Sequence, residues 1–398
     1  MKINQQYIKN NNMKQLYSLL KNNSCLSRAA LAKMTGLSKT TVSSLIDELI
    51  QKEYAADNGA AASTLVGRKP NHLSLTGEKH CIAAIYWGAE LMTGTLITLD
   101  GRLIEKQILS LPSISGYAKY LNQLFLLLAE KTEGLSRIIG LCIIMPAMLD
   151  RENKRIISTV LPLEKESEVI ENIRKEIKEI PIAFLNDTAC LAYAENPSAR
   201  QKEDTFAFVN LDQGIGSALF VDGKILGGAG GSKTQFGHYS VDTHGIACAC
   251  GNRGCLEVMI GERALPRLVK DGGGSKVLNI QENLSYADIQ TAAAKGDSAA
   301  HFAIHYIADN LAVALSNLIS LFSPKRIIIG GSGRSLGTLF LQELTATIKN
   351  HGFRKMVEVV DIQYSVLGDD ACFVGAMEYY FENYFCFTED MSECIFIG

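Results

Sequence analysis

The chain has 398 residues, 47% of them apolar and 20% charged, which is too long for one ordinary domain and rich enough in core formers to exclude a mostly disordered protein. Its opening MKINQQYIKNNN lacks the apolar run of a secretory signal, and no stretch approaches twenty uninterrupted apolar residues, so the expectation is a cytoplasmic protein that meets no membrane. The formal net charge of −3 hides an asymmetry: residues 1–80 carry 11 Lys and Arg against 5 Asp and Glu, and residues 81–398 carry 28 against 37. A basic head on an acidic body points the head at a polyanion.

Met13, Leu16, Tyr17 and Leu20 fall at the spacing of one buried helix face. In SRAALAKM, Ser27 is placed to cap a short helix whose Leu31 and Met34 point inward. Gly36 then supplies the left-handed conformation that ends it, and Ser38 caps a third helix with Val42, Leu45, Ile46 and Leu49 on its apolar face. Ser38, Lys39, Thr40, Ser43 and Ser44 lead that helix. Small polar and basic residues there suit the second helix of a helix-turn-helix, which lies deep in the major groove. Lys39 is matched to phosphate or guanine, Thr40 and Ser43 to base edges. Residues 54–75 resemble a two-stranded wing, with Arg68 and Lys69 of the GRKP segment placed for phosphate or the minor groove.

From Ile82 onward, short apolar runs alternate with helical stretches, which predicts α/β layers. Strands are expected in IAAIYWG, GTLITLDGRLIEKQ, IIGLCIIMP, IAFLND, TFAFVNL, GSALFVDGKIL and RIIIGG, and helices over residues 117–131 and 300–321. Two turns, Asp100-Gly101 and Asp222-Gly223, close similar β-rich stretches and hint at a duplicated lobe.

Ten cysteines are too few for a disulfide scaffold at this length, and seven are scattered. The other three crowd into GHYSVDTHGIACACGNRGCLE, residues 237–257, which holds His238, Cys248, Cys250 and Cys255. Three thiolates and one imidazole complete a closed tetrahedral zinc site with no position left for a catalytic water. His244 is a rival fourth ligand on spacing. A second pair, His301 and His305, lies at i and i+4 without a carboxylate at ligand spacing and reads as ordinary helix surface.

These motifs together resemble the ROK family (repressors, open reading frames and kinases), in its helix-turn-helix repressor branch, which includes xylose, glucose and N-acetylglucosamine repressors. The resemblance spans nearly the whole chain: SRAALAKMTGLSKTTVSSLIDELI and GRKP match the DNA-binding head, LNDTACLAYAE the catalytic-strand motif, and residues 237–257 the zinc signature. It implies a winged helix-turn-helix over 1–80 and a two-lobed actin-like, sugar-kinase-like α/β fold over 81–398. Lobe 1 would take 81–200 plus a C-terminal helix at 375–398, and lobe 2 would take 201–374. It further implies structural zinc on His238, Cys248, Cys250 and Cys255, sugar contacts from Asn186, Asp187, Gln235, His238 and Glu257, an operator-DNA partner, and a homodimer or tetramer. In the family's kinases Asp187 would be the catalytic base; here it is read as vestigial, and no catalytic residue is assigned.

The family's first phosphate loop, Asp-x-Gly-Gly-Thr, corresponds to Tyr86-Trp87-Gly88-Ala89-Glu90, and its second, Gly-Thr-Gly-x-Gly, to Asp212-Gln213-Gly214-Ile215-Gly216. Glu90 and Asp212 put negative charge where phosphate should sit. At ~4 Å and an effective dielectric near 20, such a repulsion is about 4 kcal/mol, large against the roughly 8 kcal/mol of a micromolar complex. The Gly330-Gly331 pair resembles the adenosine-loop glycines. Gln235 replaces a family glutamate and Ala147 a family glycine. The expectation is therefore a sugar-responsive repressor, not an enzyme. The alternatives are an active sugar kinase with an appended head and a DNA-binding regulator that no longer senses sugar.

Overall fold

The computed structural model describes residues 5–23, 26–60, 71–111, 116–132, 138–150, 154–158, 160–161, 163, 167–178, 180–196, 205–226, 235–280 and 283–388. Arg68 and Lys69 lie outside the described residues.

Helix α1 (Gln5–Asn22) buries Met13, Leu16, Tyr17 and Leu20 on one face. Helix α2 (Arg28–Thr35) begins where Ser27 Oγ accepts the Ala30 N–H, and ends at Gly36, whose φ of +71° turns its N–H back to Ala32 O. Helix α3 (Lys39–Gln51) starts from Ser38 Oγ, which accepts the Thr41 N–H at 3.0 Å, and buries Val42, Leu45, Ile46 and Leu49. Met34 departs from expectation and is 50% exposed. The buried residues of α2 are Leu31 and Ala32. A face centred between them leaves Met34 about 110° around the helix, at roughly 100° per residue. Strands β1 (Ala55–Ala60) and β2 (Asn71–Leu75) pair antiparallel behind α3 and form the wing.

The body is two sheets built to one plan. Strands β3 (Cys81–Trp87), β4 (Leu91–Thr98) and β5 (Leu103–Ser110) form an antiparallel meander. Helix α4 (Tyr117–Ala129) leads to β6 (Ile138–Met145), the short hairpin β7 (Met148–Asp150) and β8 (Arg155–Ile157), and helix α5 (Val169–Glu176). Strand β9 (Ile182–Asn186) runs directly into α6 (Asp187–Glu195). The sheet order is β5-β4-β3-β6-β9, with β6 and β9 parallel to β3. Its Ala83, Ile85, Leu141, Ile143 and Phe184 pack with Leu121, Leu124 and Leu128 of α4 and Ile173 of α5.

The second sheet repeats the pattern with β10 (Phe206–Leu211), β11 (Ile215–Val221) and β12 (Lys224–Ile225). There follow α7 (Leu256–Ile260), α8 (Leu265–Asp271), α9 (Tyr286–Ala294), α10 (Ser298–Phe322), β13 (Arg326–Gly330), α11 (Gly337–Ile348), α12 (Arg354–Val357) and β14 (Asp361–Tyr364). The order is β12-β11-β10-β13-β14, again three antiparallel strands followed by two parallel ones. The Asp100-Gly101 and Asp222-Gly223 turns close equivalent hairpins, with positive φ at Gly101, Asp222 and Gly223. Helix α10 is long and apolar enough to cross a bilayer, but its Ile304, Leu311, Leu315 and Ile319 lie in the core of this second sheet.

The chain divides into two compact units. One holds the head, the first sheet and the C-terminal helix α13 (Ala371–Asn383) from Cys372 onward; the other holds 191–371 with the second sheet. Within the first unit, an aromatic seam ties head to body. Tyr17 meets Phe381 at 5.2 Å and Phe387 at 5.7 Å between ring centroids, and Tyr54 meets Phe387 edge-on at 4.9 Å. Buried Asn10 accepts the Phe387 N–H through Oδ1 at 2.9 Å, Lys14 donates to Glu382 O at 2.8 Å, and Lys21 pairs with Glu378. Burial in the seam lowers the Lys14 ammonium to about 8. Removing a buried ring costs about 3–5 kcal/mol. Phe387→Ala is therefore expected to strip hydrogen-exchange protection from α1 while leaving the second unit protected; unchanged protection in α1 would show that the seam does not hold the head.

Candidate functional site

The cysteine loop folds into a compact knot. Val241 N–H donates to Gly254 O and Cys248 N–H to Asn252 O, both at 2.8 Å. Gly254 has φ +57°, and a Cβ there would lie 1.8 Å from Asp242 O, so only glycine fits the crossing. The knot brings His238, Cys248, Cys250 and Cys255 together with all four donor atoms within 4.8 Å of one another. Cys250 and Cys255 Sγ are 3.6 Å apart, and Cys248 Sγ is 3.7 Å from His238 Nδ1. A tetrahedron with metal–sulfur bonds near 2.3 Å has edges of about 3.8 Å, so the donor set fits a metal ion. His244 is not in this group; its Nδ1 lies 3.3 Å from Thr243 Oγ1 and the ring is exposed.

The same knot positions Glu257, two residues after Cys255 at the start of α7. Its Oε2 accepts the Ile215 N–H at 3.2 Å, which pins the carboxylate to the loop between β10 and β11. Gly237 permits this approach, since a Cβ there would stand 2.2 Å from Ile215 O. Gln235 is exposed and its carbonyl accepts the His238 N–H. Of the five expected sugar contacts, Gln235, His238 and Glu257 belong to the second unit and Asn186 and Asp187 to the first. Asn186 is engaged in holding the fold: its Oδ1 accepts the Ala189 N–H and its Nδ2 donates to Ala147 O. Asp187 Oδ1 accepts the Thr188 N–H at 2.6 Å.

Tyr86 is half-buried in β3 opposite Thr93, and the next residue, Trp87, is buried and stacked on Tyr117 at 4.8 Å. Gly88 N–H closes a tight turn onto Leu91 O, leaving Glu90 exposed. Asp212 stands on the turn after β10, where its Oδ1 accepts from Gln213 N–H at 3.0 Å and from Ser332 Oγ at 3.2 Å. Burial nonetheless raises its carboxyl above the ordinary 3.8. Glu262 is likewise raised, by burial first and then by the charge of Asp212, against a lowering hydrogen bond from Ser332. Sequence reasoning missed Glu262 and Ser332, which carry no motif of their own and meet Asp212 only through the fold.

In the head, Ser38, Lys39, Thr40 and Ser44 are exposed at the start of α3. Ser43 is half-buried and held by Arg28, which donates to its Oγ at 3.0 Å and also pairs with Asp47 at 2.7 Å. Arg28, also unforeseen, thus clamps α2 onto α3.

A family model described as ROK matches residues 82–382, and one described as winged helix-turn-helix DNA-binding matches residues 9–55. The xylose repressor of Caldicellulosiruptor bescii is 26% identical over 379 residues, covering 92% of this chain and 94% of its own. The crystal structure of a ROK family transcriptional regulator, a homolog of the Escherichia coli MLC protein, aligns with a TM-score of 0.78 at 23% identity, covering 93% of this chain and 95% of that one. The ROK hexokinase of Thermus thermophilus aligns with a TM-score of 0.61 at 21% identity, covering 76% of this chain and 98% of its own. Regulator and kinase share the fold of the body.

A carboxyl that binds its proton more tightly folded than unfolded loses stability as pH rises through its raised value; well below the ordinary value both states hold the proton and the effect vanishes. Asp212→Asn is therefore expected to raise the unfolding temperature at pH 8, by about 2–4 °C per kcal/mol relieved, with the gain shrinking toward pH 4. A gain independent of pH, or a loss at pH 8, would contradict the assignment.

Proposed function

The chain belongs to the ROK family, and from that premise we propose that it is a DNA-binding repressor of sugar-metabolism genes, xylose genes foremost, whose kinase-like body binds a sugar and no longer transfers phosphate. The observation that carries this reading is a winged helix-turn-helix joined to a ROK body in which burial raises the Asp212 carboxyl, on the turn we read as the second phosphate loop. An ATP phosphate brought there meets charge of its own sign in a poorly solvated setting. The similarity to a xylose repressor over 92% of the chain supports the regulatory half.

In the head, Lys39 and Thr40 meet the major groove, with Ser38 and Ser44 at its margin and Ser43 supporting α3 through Arg28. Arg68 and Lys69 meet phosphate or the minor groove. A homodimer in the cytoplasm then reads an inverted repeat, half-sites one or more helical turns apart. Asn186, Asp187, Gln235, His238 and Glu257 supply the directional hydrogen bonds a polyhydroxylated ligand needs. The sugar acts by binding one arrangement of the body more tightly than another, since equal affinity shifts nothing. The aromatic seam makes the head respond with the first sheet.

The metal in the Cys₃His knot is read as structural zinc. His238, Cys248, Cys250 and Cys255 would hold it, and it would tie the loop together so that His238 and Glu257 are held in place. Native mass spectrometry is expected to show one zinc per chain, lost in Cys255→Ser together with thermal stability; a metal-free chain of full stability would remove the assignment.

Fluorescence anisotropy with duplex from upstream of the gene tests the whole reading. Affinity should fall steeply with salt, and Lys39→Ala should weaken binding about tenfold and lower the log–log salt slope by about 1. Xylose or another monosaccharide should shift the affinity. Binding indifferent to salt and to Lys39 defeats the head assignment, and silence with every sugar defeats the sensing.

A further inference from the structure

Of the scattered cysteines, the fold gathers Cys142 of β6, Cys190 of α6 and Cys372 of α13 in the first unit, all free and buried. Cys372 Sγ donates to Asp187 O at 3.8 Å, at the first turn of α6. A helix carbonyl points toward the C-terminus while side chains three residues on lean back toward the N-terminus, so Cys190 shares that face with Asp187 O. The Cys372 thiol accordingly reaches Cys190 as a hydrogen-bond partner, and Cys142 approaches Cys190 from β6.

A second observation is where this pair lies along the chain. Apart from residues 158–160, the chain leaves the first unit directly after Cys190 and returns to it at Cys372. A covalent link between the two would close residues 191–371 into one loop. It would also join the turn opened by Asp187 to α13, which runs on to Glu378, Phe381 and Glu382 and so to α1. Exposure sets an order between the partners, Cys372 being 9% exposed and Cys190 0%. The hydrogen bond with Cys190, together with burial, holds the Cys372 thiol well above the ordinary 9, so at neutral pH it is protonated and reacts slowly. Under reducing conditions such a pair stays as thiols and bridges only when an oxidant persists.

We propose that Cys190 and Cys372 form a reversible redox site, oxidised to a disulfide by a hydroperoxide. The Cys372 sulfur attacks the peroxide, the O–O bond breaks, and Cys372 becomes a sulfenic acid while its proton leaves with the released alcohol or water. The Cys190 sulfur then attacks the sulfenic sulfur. The S–S bond forms, and the hydroxyl departs as water with the Cys190 proton. Two electrons pass from the sulfurs to the peroxide, and a dithiol returns them. This site does not depend on the DNA-binding or sugar-sensing reading.

The test applies hydrogen peroxide to the native, zinc-loaded full chain, then alkylates the remaining thiols after unfolding and digests with trypsin and chymotrypsin. Cys142, Cys190, Cys372 and the knot cysteines fall on different peptides, so mass spectrometry reads each pairing separately. A Cys190–Cys372 link is expected in roughly half of the chains or more within hours, reversed by dithiothreitol and accompanied by slower amide exchange in α6 and α13. Cys190→Ala should leave Cys372 as a sulfenic acid trapped by dimedone, and Cys372→Ala should leave Cys190 a thiol. Retention of the parent's zinc content shows that both variants are folded. The proposal fails if Cys190 and Cys372 stay thiols in the native parent, if Cys190 is found joined to Cys142, or if the link forms only in denaturant. Sulfenic acid at Cys190 in Cys372→Ala overturns the assigned order.

Discussion

Asp212 leaves the end of a fully buried strand facing the Gln213 amide and Ser332, and among the described residues no Lys, Arg or His forms an ion pair with it. Its environment withholds the solvation a carboxylate needs, so its charge is felt strongly by anything that approaches. If this turn corresponds to the phosphate loop of a phosphotransferase, as proposed, it presents an oxyanion where one would have to be accepted. The surrounding glycines at 330, 331 and 333 still allow close backbone approach, each with a would-be Cβ within 2.4 Å of Phe208 or Leu211 atoms. On the proposed reading, a nucleotide-site scaffold would persist here with its electrostatics inverted.

Around that constraint the rest of the body keeps its precision. The cysteine knot places His238 and, through α7, Glu257, whose carboxylate reaches back to the Ile215 amide at the start of β11, just past the turn that carries Asp212. The cysteine knot and the turn that carries Asp212 are thus one mechanical piece of the second unit. The head is bound just as firmly within the first unit: Lys14 and Lys21 of α1, Lys52 just after α3 and the rings of Tyr17 and Tyr54 meet α13 and the segment after it.

Much of this was legible in the sequence where physics is local. Ser27, Gly36 and Ser38 act as caps and stop as their residue types dictate, and the Asp-Gly turns foretold the repeated meander because Asp222 and two glycines accept positive φ. The zinc-type cluster was readable because four donors crowd into a short loop, although only the fold decides between His238 and His244. Met34 misled because an eight-residue helix has too few turns for spacing alone to fix its buried face. Ser43, expected at base edges, also accepts a hydrogen bond from Arg28, fifteen residues earlier, a contact spacing does not reveal. Glu262 and Ser332 reach Asp212 from 50 and 120 residues away, distances at which composition and periodicity carry no information.

The central claim is that the nucleotide grip has been lost to charge. Calorimetric titration of the full chain with MgATP measures it directly. The account predicts no measurable heat of binding, or a Kd in the millimolar range at best. A Kd near micromolar, equivalent to roughly 8 kcal/mol, would contradict it.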